Sequence, residues 1–305
     1  MSRGGTDVRL VHGAYAAEVT TIGAGLRALT YDGRDLVRTY GSGSVRPKSS
    51  GALLVPWPNR VVDGTYDFGG TSYRLDLSEP ARGHAIHGLV AWQRFEVVER
   101  GDSAVVLRHV VVPRTGYPFP LDVVACYTLG DDGLDVEVTS TNLGDAPLPY
   151  GVGSHPYLLG GDGCVDDWTV TLPADEVLEV TPDRLVPVRL RPVVELGLDF
   201  RAERVVGDTF VDHAFTGLRP DGDGLVRATV TGADGRGAQC EWDPTVLPWA
   251  QLHTADVKGS PDLDRTGMAV EPMSCPPDAY NAGTDLVVLE PGDVHVARWT
   301  LRTYG

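Results

Sequence analysis

The sequence predicts an all-β protein, a large antiparallel β-sandwich carried by a single domain over residues 1–305. Three observations lead there. Short β-rich runs recur along the chain, each closed by a turn signal. Sustained i, i+3, i+4, i+7 apolar spacing is missing, and prolines interrupt most helical candidates. No Ser/Gly-rich linker, composition break or internal repeat divides the chain, so hairpins of one core are expected rather than separate units.

Taken in order, Ala17–Ile22 and Leu26–Tyr31 flank a Gly-Ala-Gly, and Asp32-Gly33 turns the chain into Arg34–Arg38. Phe95–Glu99 and Ala104–Val112 are joined by Arg-Gly-Asp-Ser, a hairpin signal. Leu121–Leu129 and Leu134–Thr141 bracket Gly-Asp-Asp-Gly, residues tolerant of positive φ. Leu225–Thr231 with Ala238–Trp242, and Leu286–Glu290 with Val294–Leu301 around Pro-Gly-Asp, read as two further pairs. The alternation Leu134-Asp-Val-Glu-Val-Thr gives one apolar and one polar face. The 37 glycines and 22 prolines exceed their ordinary combined share of about 12%, which suits many turns. With 42% hydrophobic residues the chain still has ample material for a core.

Charge narrows the function. The 26 basic and 42 acidic side chains leave a formal charge of −16, which argues against a nucleic-acid partner and against docking on anionic lipid. Only Lys48 and Lys258 among the basic residues are lysines, a skew read here as gene base composition. The start, Met-Ser-Arg-Gly-Gly-Thr-Asp, has no apolar signal region and no run approaches a membrane span. A cytoplasmic chain, monomeric or weakly dimeric, is the expectation. Cys126, Cys164, Cys240 and Cys275 stand too far apart for a structural zinc site and read as buried free thiols.

Several local patterns fail on context. Gly23-Ala-Gly25-Leu-Arg-Ala28 resembles a dinucleotide fingerprint, but strand and turn follow where a helix must hold the pyrophosphate. Ser154 before His155 is not a nucleophile elbow. His84, His87, His155 and His253 offer imidazoles for a metal, yet residues i and i+3 of an extended strand face opposite ways. No metal and no cofactor are expected.

What remains is an ordered set of polar groups: Asn59-Arg60 after Pro-Trp-Pro, His87-Gly88, His155-Pro-Tyr157, Asp212-His-Ala-Phe215, Trp249-Ala-Gln251 and Glu271-Pro272. In this order they resemble the aldose 1-epimerase (galactose mutarotase) family, over nearly the whole chain. The resemblance implies a galactose mutarotase-like supersandwich and anomer interconversion of a hexose. It also implies His155 as general acid and Glu271 as general base, with Asn59, Arg60, His87, Asp212 and Gln251 holding sugar hydroxyls. Three departures mark a divergent bacterial branch. The segment His-x-Tyr-Phe-Asn-Leu becomes His155-Pro-Tyr-Leu-Leu, a second glycine becomes Leu89, and the stretch after Glu271 is longer before Pro-Asp-Ala.

The chemistry suits these residues without a metal. A base takes the C1 hydroxyl proton while an acid protonates the ring oxygen, from opposite sides of the ring in the simplest arrangement. The imidazole must then be charged, and Asp212 is the carboxylate expected to favour that form. Trp57, Trp92 and Trp249 are candidate platforms for a sugar face. An epimerase of an anionic sugar, a hexose 6-phosphate or sulfonated hexose, is an alternative, with Arg82 and Arg94 as candidate contacts. A non-catalytic carbohydrate-binding protein on the same fold is another, and would bind sugar without speeding anomer exchange.

Overall fold

A computed structural model describes residues 5–305. Two large antiparallel sheets dominate it. The nine-stranded sheet runs in the order Glu96–Arg100, Ala104–Val111, Leu121–Gly130, Gly133–Asn142, Val294–Tyr304, Gly237–Trp242, Val226–Thr231, Thr169–Thr171, Arg204–Val205. The second runs Pro187–Pro192, Ala174–Val180, Asp212–Leu218, Trp249–His253, Met268–Met273, Gly153–Ser154, Leu53–Leu54, with Tyr157–Leu158 also paired to Met268–Met273. Their apolar faces share one core cluster, which holds Val123 and Tyr127 from the first sheet and Phe215, Leu252 and Val270 from the second.

The hairpin reading holds for Glu96–Arg100 with Ala104–Val111, Leu121–Gly130 with Gly133–Asn142, and Val226–Thr231 with Gly237–Trp242. Strand Leu121–Gly130 alternates buried and half-exposed positions, as period-2 patterning requires. One expected pair does not form. Val287–Leu289 pairs with Leu148–Tyr150, while Val294–Tyr304 lies between Gly133–Asn142 and Gly237–Trp242. Pro291-Gly292-Asp293 is therefore a crossing from a two-stranded ribbon into the large sheet. Local turn chemistry cannot distinguish the two outcomes, because both need the same reversal.

Among the described residues, helix is confined to Ala279–Ala282 and three 3-10 turns, and no helix is long and apolar enough to cross a membrane. All four cysteines are free, but only Cys240 and Cys275 are buried; Cys126 and Cys164 sit half-buried, against the reading of four buried thiols.

The central strands of the second sheet are covered on both faces. Met268–Met273 is buried throughout, and Trp249–His253 nearly so. This is what places polar side chains from those strands inside the protein.

Candidate active site

The second sheet aligns its polar residues by register. Gln251 lies directly opposite Glu271, and His253 directly opposite Asp212. Opposed residues share a face, and so do positions two apart along a strand, so these four side chains rise from one side of the sheet. Loops add the rest. His155 is pinned through its own backbone, its N–H donating to the Ala52 carbonyl (3.0 Å) and its carbonyl accepting from Gly51 N–H (2.8 Å). His87 and Asn59 both hold positive φ, 62° and 52°, and His87 N–H donates to the Asn59 carbonyl at 2.9 Å. Gly88 follows at φ 71°, where a Cβ would collide with the Val55 carbonyl. Only glycine allows the chain to pass there.

Asn59, Arg60, His87, His155, Asp212 and Glu271 thereby line one cavity of about 230 Å³. Gln251 stands behind it, its amide donating to Asp212 Oδ1 at 2.7 Å. Asn59 Oδ1 accepts from Arg60 N–H (3.0 Å) and Arg60 Nη1 (3.2 Å). The Arg60 fork donates to both oxygens of Glu79, at 2.8 and 3.1 Å, and its Nη2 lies 3.6 Å from Asp212 Oδ2. A buried guanidinium between two carboxylates is thus compensated twice over.

Glu271 and His155 touch. Glu271 Oε1 is 3.2 Å from His155 Nε2, with the carboxyl 1% exposed. The His87 ring stands edge-on to His155 at 5.1 Å, and Tyr157 lies at 4.9 Å with the Arg38 guanidinium 3.6 Å above its ring centre. Burial, and then the neighbouring His87, His253 and Arg38, push the His155 imidazole well below its ordinary range. Burial, and then Asp212, push Glu271 well above the usual carboxylate range, with only Arg60 opposing. Burial thus works against charge on both members, lowering the imidazole and raising the carboxyl.

Two expectations change. Asp212 does not charge His155. Burial would raise its own carboxyl, but His253, Arg60 and the Gln251 hydrogen bond outweigh that and hold it ionised, and its field falls on Glu271. Nor do His155 and Glu271 stand apart with room for a ring between them, since they are in contact. The O1 and O5 oxygens of an aldose are bonded to the same carbon, so two groups side by side reach both.

His87 is likewise neutral, pushed to about 3 by burial and by Arg60. Buried atoms without a protein partner, among the described residues, include His87 Nδ1, His155 Nδ1, Gln251 Oε1 and Glu271 Oε2. Orphaned polar atoms converging on a cavity are the expected trace of a polar ligand. Of the possible metal ligands, His84 is removed, because its Nε2 donates to the Arg184 carbonyl and its Nδ1 accepts from Asp63 N–H. His87, His155 and Glu271 do bring donor atoms within 4.8 Å of one another.

With this geometry in view, comparison with known proteins is decisive. The aldose 1-epimerase family model matches residues 6–302. This chain belongs to the aldose 1-epimerase family. It is 37% identical over 292 residues to the "Uncharacterized protein YihR" of Escherichia coli (strain K12), covering 95% of this chain and 91% of that one. Among solved structures, the GalM/aldose epimerase homologue from C. elegans superposes with TM-score 0.85 at 21% identity, covering 98% of both chains. Galactose 1-epimerase from Lactobacillus acidophilus NCFM does so with TM-score 0.79 at 18% identity, covering 98% of this chain and 95% of that one. The fold is the galactose mutarotase-like sandwich.

Within this aldose 1-epimerase family chain, some cavity residues had no sequence signal. Glu79 is one carboxylate in a polar loop, and only the approach of Arg60 singles it out. Arg82, which donates to Glu79 at 3.0 Å, lines the cavity, whereas Arg94 is exposed and away from it. Trp57 and Trp249 are core residues at 2% exposure rather than sugar platforms.

Proposed function

We propose that this aldose 1-epimerase family member interconverts the α and β anomers of a hexose, with Glu271 as base and His155 as acid. The observation that carries the reading is the buried Glu271–His155 contact facing a cavity rimmed by unpartnered polar atoms. On binding, the shared proton moves from the Glu271 carboxyl to His155, giving a carboxylate and an imidazolium without any exchange with solvent. Sugar hydroxyls entering beside Glu271 supply the hydrogen bonds that favour its ionised form.

The carboxylate then takes the proton from the C1 hydroxyl. The O1 electrons form the carbonyl, the C1–O5 bond breaks, and His155 protonates O5. Rotation about C1–C2 presents the other carbonyl face. O5 attacks C1, its proton returns to His155, and Glu271 protonates the new O1. Every step exchanges the same proton pair, so the chemistry asks nothing of a metal.

The flanking residues hold the ring. Asp212, kept ionised by Arg60 and Gln251, accepts from a hydroxyl, and Gln251 Oε1 and His87 Nδ1 have capacity to spare. Asn59 positions the Arg60 fork, whose charge also tempers the rise at Glu271. The direct test is polarimetry of freshly dissolved α-glucose or α-galactose with the full chain. Catalysed decay of rotation is expected, and saturable sugar binding without it would replace an enzyme by a sugar-binding protein.

A further inference from the structure

Arg38 is a buried cation near the acid–base pair that takes no part in the proton transfer. It is 8% exposed. Among the described residues its guanidinium donates only to neutral acceptors: Ser50 Oγ at 2.9 Å, Thr266 Oγ1 at 3.4 Å and the Leu263 carbonyl at 3.5 Å. Its Nε has no partner among them. A buried arginine is ordinarily held by a carboxylate, because desolvating an unpaired charge is costly. Arg60, set between Glu79 and Asp212, shows that ordinary arrangement in the same protein. Arg38 does not.

What Arg38 meets in place of a carboxylate is Tyr157. The guanidinium carbon stands 3.6 Å from the centre of that ring, where the π face offsets its charge. The same ring lies 4.9 Å from the His155 imidazole. Arg38 N–H also donates to the Tyr157 carbonyl at 2.8 Å, so backbone and side chain hold one residue. Gly267 leaves room for this packing, because a Cβ there would stand 2.9 Å from Tyr157 Cβ. The Ser50 contact leads to the same histidine by another route. Ser50 closes the turn from Pro47, its N–H and its hydroxyl both donating to the Pro47 carbonyl, at 2.9 and 2.8 Å. That turn delivers Gly51 and Ala52, the two residues that grip the His155 backbone. The Tyr157 hydroxyl donates to the Lys48 carbonyl at 3.2 Å and ties ring and turn together.

A catalytic imidazole is usually oriented by a hydrogen bond at the nitrogen that does not react. His155 touches Glu271 through Nε2, and its Nδ1 is buried without a protein partner among the described residues. Packing must therefore supply the orientation. Resting on the epimerase reading, we propose that Arg38 is a positioning residue, which fixes the His155 imidazole against Glu271 through the Tyr157 ring and the Ser50 turn. The missing carboxylate fits this role. A carboxylate on Arg38 would set a further negative charge near His155 and hold the proton there, whereas a π face offsets the cation without that effect.

The test measures kcat and KM for anomer exchange of α-glucose and α-galactose, with the full chain and its Arg38→Met, Arg38→Lys and Ser50→Ala variants. Arg38→Met and Ser50→Ala are also made in a His155→Asn background. Arg38→Met should lower kcat about tenfold or more with KM within about twofold, since a loosened acid weakens the transition state and not sugar binding. Arg38→Lys should recover part of that loss, because an ammonium still meets the ring but cannot span Ser50 and Thr266 together. Ser50→Ala should lower kcat about fivefold, the scale of one hydrogen bond. In the His155→Asn background both substitutions should cost at most about twofold, because the side chain they position is gone. A merely structural role would slow both backgrounds by the same factor. Should Arg38→Met fail to fold, Ser50→Ala in the two backgrounds decides the question. An unaltered kcat, or an equal loss in both backgrounds, would overturn the inference and leave the epimerase reading standing. No acceleration of either sugar by the unaltered chain would overturn both.

Discussion

Glu271 Oε1 lies 3.2 Å from His155 Nε2, with neither side chain more than 5% exposed. A carboxyl and an imidazole in contact, away from water, behave as one titrating unit. That unit is useful for a hemiacetal because the reaction consumes and returns protons at two oxygens of a single carbon.

Removing either member should abolish most catalysis. Glu271→Gln and His155→Asn are each expected to slow anomer exchange by roughly 10²–10⁴-fold, with a double variant little worse than the poorer single one. Polarimetry reads this directly. Near wild-type rates in both single variants would remove the assignment of acid and base.

The pH profile should be unusually broad. Acid inactivation requires a second proton on His155, which burial holds well below the ordinary 6.5. Alkaline inactivation requires loss of the shared proton from Glu271, which burial holds well above 4.5. The rate should therefore pass through pH 6.5 without an inflection. A half-loss centred there would indicate an ordinary exposed histidine.

Stability should separate from activity at the same residue. A carboxyl whose folded pKa is raised contributes stability below its unfolded value and loses that contribution as pH rises. Because its folded pKa is raised, Glu271 ionises more readily in the unfolded chain than in the folded one, so its burial is unfavourable at neutral pH. Glu271→Gln cannot titrate. Its melting temperature should exceed that of wild type at pH 7, and the difference should shrink toward pH 4.5. Equal differences at both pH values would contradict a protonated Glu271.

Arg60 is expected to be the most costly substitution. Its guanidinium compensates Glu79 and Asp212 at 6% exposure, and Arg60→Leu removes the buried cation between them, leaving Glu79 to Arg82 and Asp212 to Gln251 and His253. A loss of about 3–5 kcal/mol in urea unfolding is expected, with Arg60→Lys recovering part of it because an ammonium cannot form the paired contact.

Chelation should leave the rate untouched, while added zinc should inhibit. The donors of His87, His155 and Glu271 come within 4.8 Å of one another, and two neutral imidazoles are ready ligands. Inhibition competitive with sugar and reversed by chelator is the expected pattern in initial-rate assays. Loss of activity on chelation alone would return a metal to the reaction.

Much of this was legible locally. Alternation in Leu134-Asp-Val-Glu-Val-Thr, turn residues at fixed offsets and the ordered polar segments led to the sandwich and to six residues that line one cavity, with Gln251 behind them. The errors share a cause. The pairing of Val287–Leu289, the place of Glu79, the exclusion of Arg94 and the unpaired charge of Arg38 all depend on segments distant along the chain. Lys48 lines the cavity although nothing next to it in the sequence reveals a cavity wall.

The sequence by itself determined which residues alternate, where the chain turns and which polar groups were available, since each of these is written in spacings of a few residues. Only the tertiary structure decided their state. It buried the Glu271 carboxyl in a sheet covered on both faces and brought the field of Asp212 to bear on that carboxyl rather than on His155, so that Glu271 is raised and His155 lowered. Desolvation and through-space fields sum over the whole fold, and no local pattern of residues carries that sum.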